Sequence, residues 1–223
     1  YRSGEGFKTV EGSTIFFLTA FLCGFLPLMS GGRVDAAHAL WIGLILGILA
    51  MMAEAISDRG FDNLLIPLSC YFILARLVDL EMSSLVGRFA VLAVLGGVVL
   101  AGARWSTLSG GALLGGVLLG YGCAVIADWR FALPPLAVFV CHVLTTRKHG
   151  LTKSFDHRLD AVLSHAFACM PWVIAVGSGW IGMSAGLAGV SFSMGAQLAI
   201  LDTATRLWLP DLRVTPLRSV AKG

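Results

Sequence analysis

The 223-residue chain is 57% hydrophobic and only 13% charged, with a net charge of +3 and a mean hydropathy of +0.84. A soluble domain carries about 25% charged residues, so this chain has too little charge to cover a water-facing surface. It also has no basic run with interleaved aromatics, which argues against nucleic acid as a partner.

The apolar residues fall into eight blocks with no polar stripe, predicting a polytopic all-α transmembrane bundle whose first partner is the lipid bilayer. In chain order the blocks are roughly 14–29, 36–55, 64–78, 86–101, 110–126, 131–144, 159–176 and 180–203. Several are shorter than the ~20 residues that cross a bilayer. The weakest is 131–144, and without it the count falls to seven. With the N-terminus in the cytosol, only Arg33, Arg76, Arg88 and Arg130 of the 16 basic residues fall on the opposite side. The positive-inside rule therefore places both ends in the cytosol.

Trp105, Trp129, Trp180 and Trp208 lie near block ends, where indole rings favour the headgroup level. The pairs Gly43/Gly47, Gly111/Gly115, Gly116/Gly120 and Gly182/Gly186 have the four-residue spacing that lets helices approach closely in lipid. Cys23, Cys70, Cys123, Cys141 and Cys169 have no metal-ligand spacing and read as small apolar residues. His38, His142 and His165 read as interfacial or packing residues. The polar stretch Arg147–Asp160 reads as a topology-setting basic loop.

Two polar strings carry possible chemistry. In Lys8-Thr9-Val10-Glu11-Gly12-Ser13, Ser13 suits an N-cap, and a helix N-terminus with a nearby lysine attracts phosphate. An ordinary capped helix explains the same residues. The second string holds Glu54, Asp58, Asp62 and Asn63. If the helix continues past Glu54, Glu54 and Asp58 share a face, and carboxylates that close are stabilised by Mg2+ carrying a phosphate ligand. A solvated acidic loop is the alternative. Two crossings separate the strings, so both face the same compartment.

The first string, followed by Asp62-Asn63-Leu64-Leu65-Ile66-Pro67, resembles the CTP-dependent lipid-alcohol kinases. These include phytol and dolichol kinases and are related to the phosphatidate cytidylyltransferases. The family's Lys-(Ser/Thr)-x-Glu-Gly-Ser and Asp-Asn-x-x-x-Pro elements match in order across about residues 7–68. The resemblance implies an enzyme moving the γ-phosphate of CTP to a long-chain isoprenoid alcohol with Mg2+. Lys8, Thr9, Glu11, Gly12 and Ser13 would form the cofactor-binding end, with Lys8 contacting phosphate and Glu11 a candidate for metal binding or for activating the hydroxyl. Glu54 and Asp62 would hold metal, with Asp58, which belongs to no family element, joining them only by its charge and spacing, and Glu54, Asp62 and Asn63 would serve catalysis. It also implies two regions. Residues 1–83 would be the C-terminal part of a prenol-kinase-like domain. Residues 84–223 would be a second helical region faintly similar, around Leu108–Thr146, to the phytyl-phosphate kinase family.

The family's upstream Gly-Asp-(Gly/Ala)-x-Ala element is not in this sequence, and the chain starts at Tyr1. It is thus expected to be part of a longer protein and inactive by itself. The alternatives are CDP-lipid synthesis, or a transporter or structural membrane subunit.

Overall fold

The computed structural model describes residues 2–3, 6–7, 9–32, 34–57, 62–149 and 159–213. Eight α-helices account for nearly all of it: α1 Val10–Ser30, α2 Ala36–Ile56, α3 Asp62–Leu77, α4 Met82–Ala103, α5 Gly110–Ile126, α6 Leu133–His149, α7 Leu159–Gly177 and α8 Met183–Arg213. A 3-10 turn, Trp129–Ala132, leads into α6. Arg2–Ser3 pairs antiparallel with Gly6–Phe7, the one extended pairing among the described residues.

Each of the eight apolar blocks contains a helix, because consecutive apolar residues in lipid must satisfy their backbone groups within the segment. Among the described residues, five spans are long and apolar enough to cross a membrane: Val10–Ser30, Ala36–Ile56, Met82–Ala103, Trp129–Arg147 and Met183–Ile200. Ile66–Leu77, Gly110–Ile126 and Ala161–Gly177 are shorter apolar helices. The expected weak block 131–144 thus belongs to the longer group, because the 3-10 turn extends α6 at its start.

Large apolar side chains cover the outside, among them Phe167 (81% exposed), Phe192 (79%) and Leu100 (75%). Such a surface fits lipid and not water. The chain is an integral, multi-pass helical membrane protein.

Helix α2 is the hub of the N-terminal half. It buries ten residues, including Ile42, Ile45, Leu46 and Leu49. Asp35 caps it by accepting from the His38 N–H at 2.8 Å. On one face, Gly43 and Gly47 leave a shallow channel for the rings of α1. A Cβ on Gly47 would lie 3.1 Å from the Phe17 ring, and one on Gly43 the same distance from Phe21. Phe17, Phe21 and Phe25, spaced by four, stack with centroids 6.3 and 5.4 Å apart. The expectation for this glycine pair therefore holds through glycine-on-ring packing. Gly182 departs from its expected role, since it precedes α8 and only Gly186 lies within it.

Helix α5 is the seam between two core clusters. Val117, Tyr121 and Ala124 join one cluster with Leu46, Leu92, Leu95 and Val99. Leu119 and Cys123 join the other, with Phe131, Cys169, Val173, Val190 and Met194.

Candidate functional site

The α1 N-terminus begins one turn earlier than expected. Thr9, not Ser13, is the N-cap: its Oγ1 accepts from the Gly12 N–H at 3.1 Å. Ser13 lies in the helix, and its N–H bonds the Thr9 carbonyl at 3.1 Å. The sequence places a hydroxyl at both positions, and only backbone geometry separates them. Gly12 matters to the cap, since a Cβ there would lie 3.2 Å from Thr9 Oγ1. Glu11 sits in the first turn, where the helix dipole favours negative charge.

The glycine-on-ring packing fixes how α1 and α2 align. Gly47 stands between Phe17 and Phe21, and Gly43 against Phe21 and Phe25. Extending this antiparallel register brings the half-buried Glu54 level with Gly12 and Ser13, about one turn from the Thr9 cap. Asp62 and Asn63 open α3, six and seven residues beyond the end of α2 at Ile56, and their side chains lie outside the described residues.

The expected shared face of Glu54 and Asp58 is not formed by a continuing helix. α2 ends at Ile56, and Ser57 has extended backbone angles, φ −74° and ψ 136°. Lys8 and Asp58 themselves lie outside the described residues. Among the described residues no group of three or more His, Cys, Asp or Glu could hold a metal ion. Glu54 is the one expected metal ligand whose side chain is described. A single carboxylate beside a helix N-terminus suits Mg2+ only when phosphate oxygens complete the shell.

A second polar constellation, missed in the sequence, lies between α4, α5, α6 and α7. A partly open cavity of about 130 Å3 is lined by Leu95, Val117, Phe139 and other apolar residues, with His142 and His165 as the polar side chains among the described residues. His142 Nε2 is 3.2 Å from the hydroxyl of Thr107, which is buried. His165 Nδ1 is 2.7 Å from the Ala161 carbonyl, and its buried Nε2 has no partner among the described residues. The one signal in the sequence was a lone histidine in each of two apolar blocks, His142 in 131–144 and His165 in 159–176, a pattern that packing explains equally well.

At the outer end of this region Trp105 carries Arg104 and Arg147, their guanidinium carbons 3.8 and 5.1 Å from the ring centroid. This cation–π pairing fits the interfacial place expected for Trp105. Cys123 and Cys169, both fully buried, bring their sulfurs to 4.0 Å across α5 and α7. Their 46-residue separation hid the pair from any reading by spacing, and both are free thiols.

Outside the bilayer-crossing segments, Asp35 is held below the usual carboxylate range by hydrogen bonds from the His38 backbone N–H and ring. The ring Nδ1 lies 3.1 Å from its Oδ2.

Fold and surface thus define a class, the polytopic helical membrane proteins. No protein-family model, curated protein or solved structure matches the chain, so its resemblance to the lipid-alcohol kinases rests on the two motif strings alone.

Proposed function

We propose that this chain belongs to a membrane-embedded CTP-dependent kinase that phosphorylates a long-chain isoprenoid alcohol. The observation that carries the reading is the α1–α2 register, which sets Glu54 level with the Thr9-capped helix end bearing Glu11, Gly12 and Ser13. Phosphoryl transfer is governed by positioning and charge neutralisation. A helix N-terminus supplies free N–H groups for phosphate, and Lys8 adds a full positive charge. Glu54, Asp58 and Asp62 would hold Mg2+, which supplies charge neutralisation between nucleotide phosphates, and Asn63 would orient them. Both chain ends would face the cytosol, in keeping with the distribution of basic residues.

The test is transfer of labelled phosphate from γ-labelled CTP to a prenol, in vesicles containing the protein made from its complete reading frame. Labelled prenyl phosphate, formed with CTP preferred over ATP, is the expected product. A cytidine-containing lipid would show a cytidylyltransferase instead. Absence of both products, with the protein correctly inserted, would favour a non-enzymatic membrane role.

A further inference from the structure

We infer that Arg104 and Arg147, both laid on the ring of Trp105, hold the phosphate of an anionic phospholipid. The inference stands apart from the kinase reading, because it uses no residue of α1, α2 or α3.

Position is the first ground. Two of the spans long enough to cross a membrane, Met82–Ala103 and Trp129–Arg147, end at this indole. Arg104 closes α4 as its C-cap, and Arg147 lies in the last turn of α6. Their guanidinium carbons stand 3.8 and 5.1 Å from the Trp105 ring centroid. The indole is half-buried and both arginines are exposed. Where two spans end on a tryptophan, the surroundings are lipid headgroups.

Charge is the second. The two guanidiniums lie at most about 9 Å apart, close enough for like charges to repel. The segments that carry them supply no counter-charge: no Asp or Glu occurs between Glu81 and Asp128, or between Asp128 and Asp156. Neither arginine side chain has an ion pair or hydrogen bond among the described residues. Another arginine–tryptophan pair in the same protein gives the contrast. Arg130 stands 5.8 Å from the Trp129 centroid, and its Nε is 3.8 Å from Asp128 Oδ1. There the anion is built in. At Trp105 it has to come from outside the chain.

Phosphate is the anion that the donors and the depth select. A guanidinium meets phosphate oxygens with paired, charge-assisted hydrogen bonds. Holding both side chains on one ring reduces the freedom lost when they take a ligand. A zwitterionic headgroup brings its own ammonium toward two cations, so the lipid is one of net negative charge. Inorganic phosphate or a nucleotide offers the same oxygens but has no acyl anchor to keep it at headgroup depth.

The test places the full chain in nanodiscs of phosphatidylcholine, alone or mixed with phosphatidylglycerol. Phenylglyoxal then modifies exposed arginines, and mass spectrometry reads the rate at each. With phosphatidylglycerol, Arg104 and Arg147 should react at least about tenfold more slowly, the scale of one charge-assisted hydrogen bond. Arg130, already beside Asp128, should keep its rate. Trp105→Leu retains both charges and should weaken the protection about threefold, the scale of an exposed cation–π contact. Equal rates in the two nanodiscs would overturn the inference, as would a slowing shared by every arginine in the chain. So would full protection in Trp105→Leu. Protection by inorganic phosphate or CTP in phosphatidylcholine alone would also overturn it, since that marks a site for soluble anions. The readout needs no phosphoryl transfer, so failure here is distinguishable from failure of the kinase reading.

Discussion

α1 and α5 are both apolar helices, yet they stand at opposite extremes of enclosure. None of the 21 residues of α1 is buried, and its rings lie on the glycine channel of α2. α5 has 17 residues and buries nine of them, with core clusters on both sides. Thr9, Glu11 and Gly12 at the start of α1 are therefore exposed, not enclosed by the fold. Polar groups beside α5 are sealed among apolar side chains. One chain thus sets polar groups in two kinds of surroundings, separated by burial more than by residue type.

The sharpest way to break this contrast is to remove charge at the open end. Glu54→Gln and Asp62→Asn, in the active protein, are each expected to lower turnover at least ~100-fold, the scale for losing a positioned charge in phosphoryl transfer. Expression and insertion should stay normal. Near-normal turnover in both would leave these carboxylates as solvated surface groups.

Packing gives the next effect. Gly47→Leu drives a side chain into the Phe17 and Phe21 rings and should cost about 1–3 kcal/mol, as overpacking does, seen as a lower midpoint of thermal unfolding in detergent. Gly116→Leu enters open space and should show no such loss. Equal losses in the two variants would show that the α1–α2 register is wrong, and with it the position of Glu54.

The enclosed side can be sharpened by oxidation. A membrane-permeant oxidant should link Cys123 to Cys169, whose sulfurs are 4.0 Å apart, and leave the exposed Cys23 unlinked. Peptide mapping without reductant reads the result, and a Cys123-containing peptide linked elsewhere would refute the α5–α7 packing.

The smallest effect concerns the cap of α2. Hydrogen bonds from His38 lower the Asp35 pKa, so its contribution to stability is fully present above the unfolded value, near 3.9. It is lost as pH falls through the lower folded value. Asp35→Ala should lower the unfolding midpoint slightly at neutral pH, with the gap to the parent protein closing under acid conditions.

Helices were legible because their signal is local: every apolar block from 14–29 to 180–203 became a helix, since lipid leaves the backbone no other way to bond. That a capped helix starts near this string was legible for the same reason, Thr9 to Ser13 forming one short run. Its detail was not, because hydroxyls at positions 9 and 13 both satisfy the pattern for a cap. The extended backbone at Ser57 was likewise hidden, and it removed the helical face expected for Glu54 and Asp58. Thr107, His142 and His165 were illegible together because three different elements supply them. Their meaning comes from what surrounds them, and for His165 from which nitrogen the Ala161 carbonyl engages.

The central claim is that the terminal phosphate of a nucleotide sits where the start of α1 meets the end of α2. A CTP analogue with a photoreactive azidoanilide on its γ-phosphate tests this directly, with the labelled peptides mapped by mass spectrometry. Adducts are expected in the segments spanning Thr9–Ser13 and Glu54–Asn63, suppressed by CTP and less so by ATP. Adducts confined to the basic stretch Arg147–Arg158, or labelling that excess CTP does not suppress, would contradict the claim.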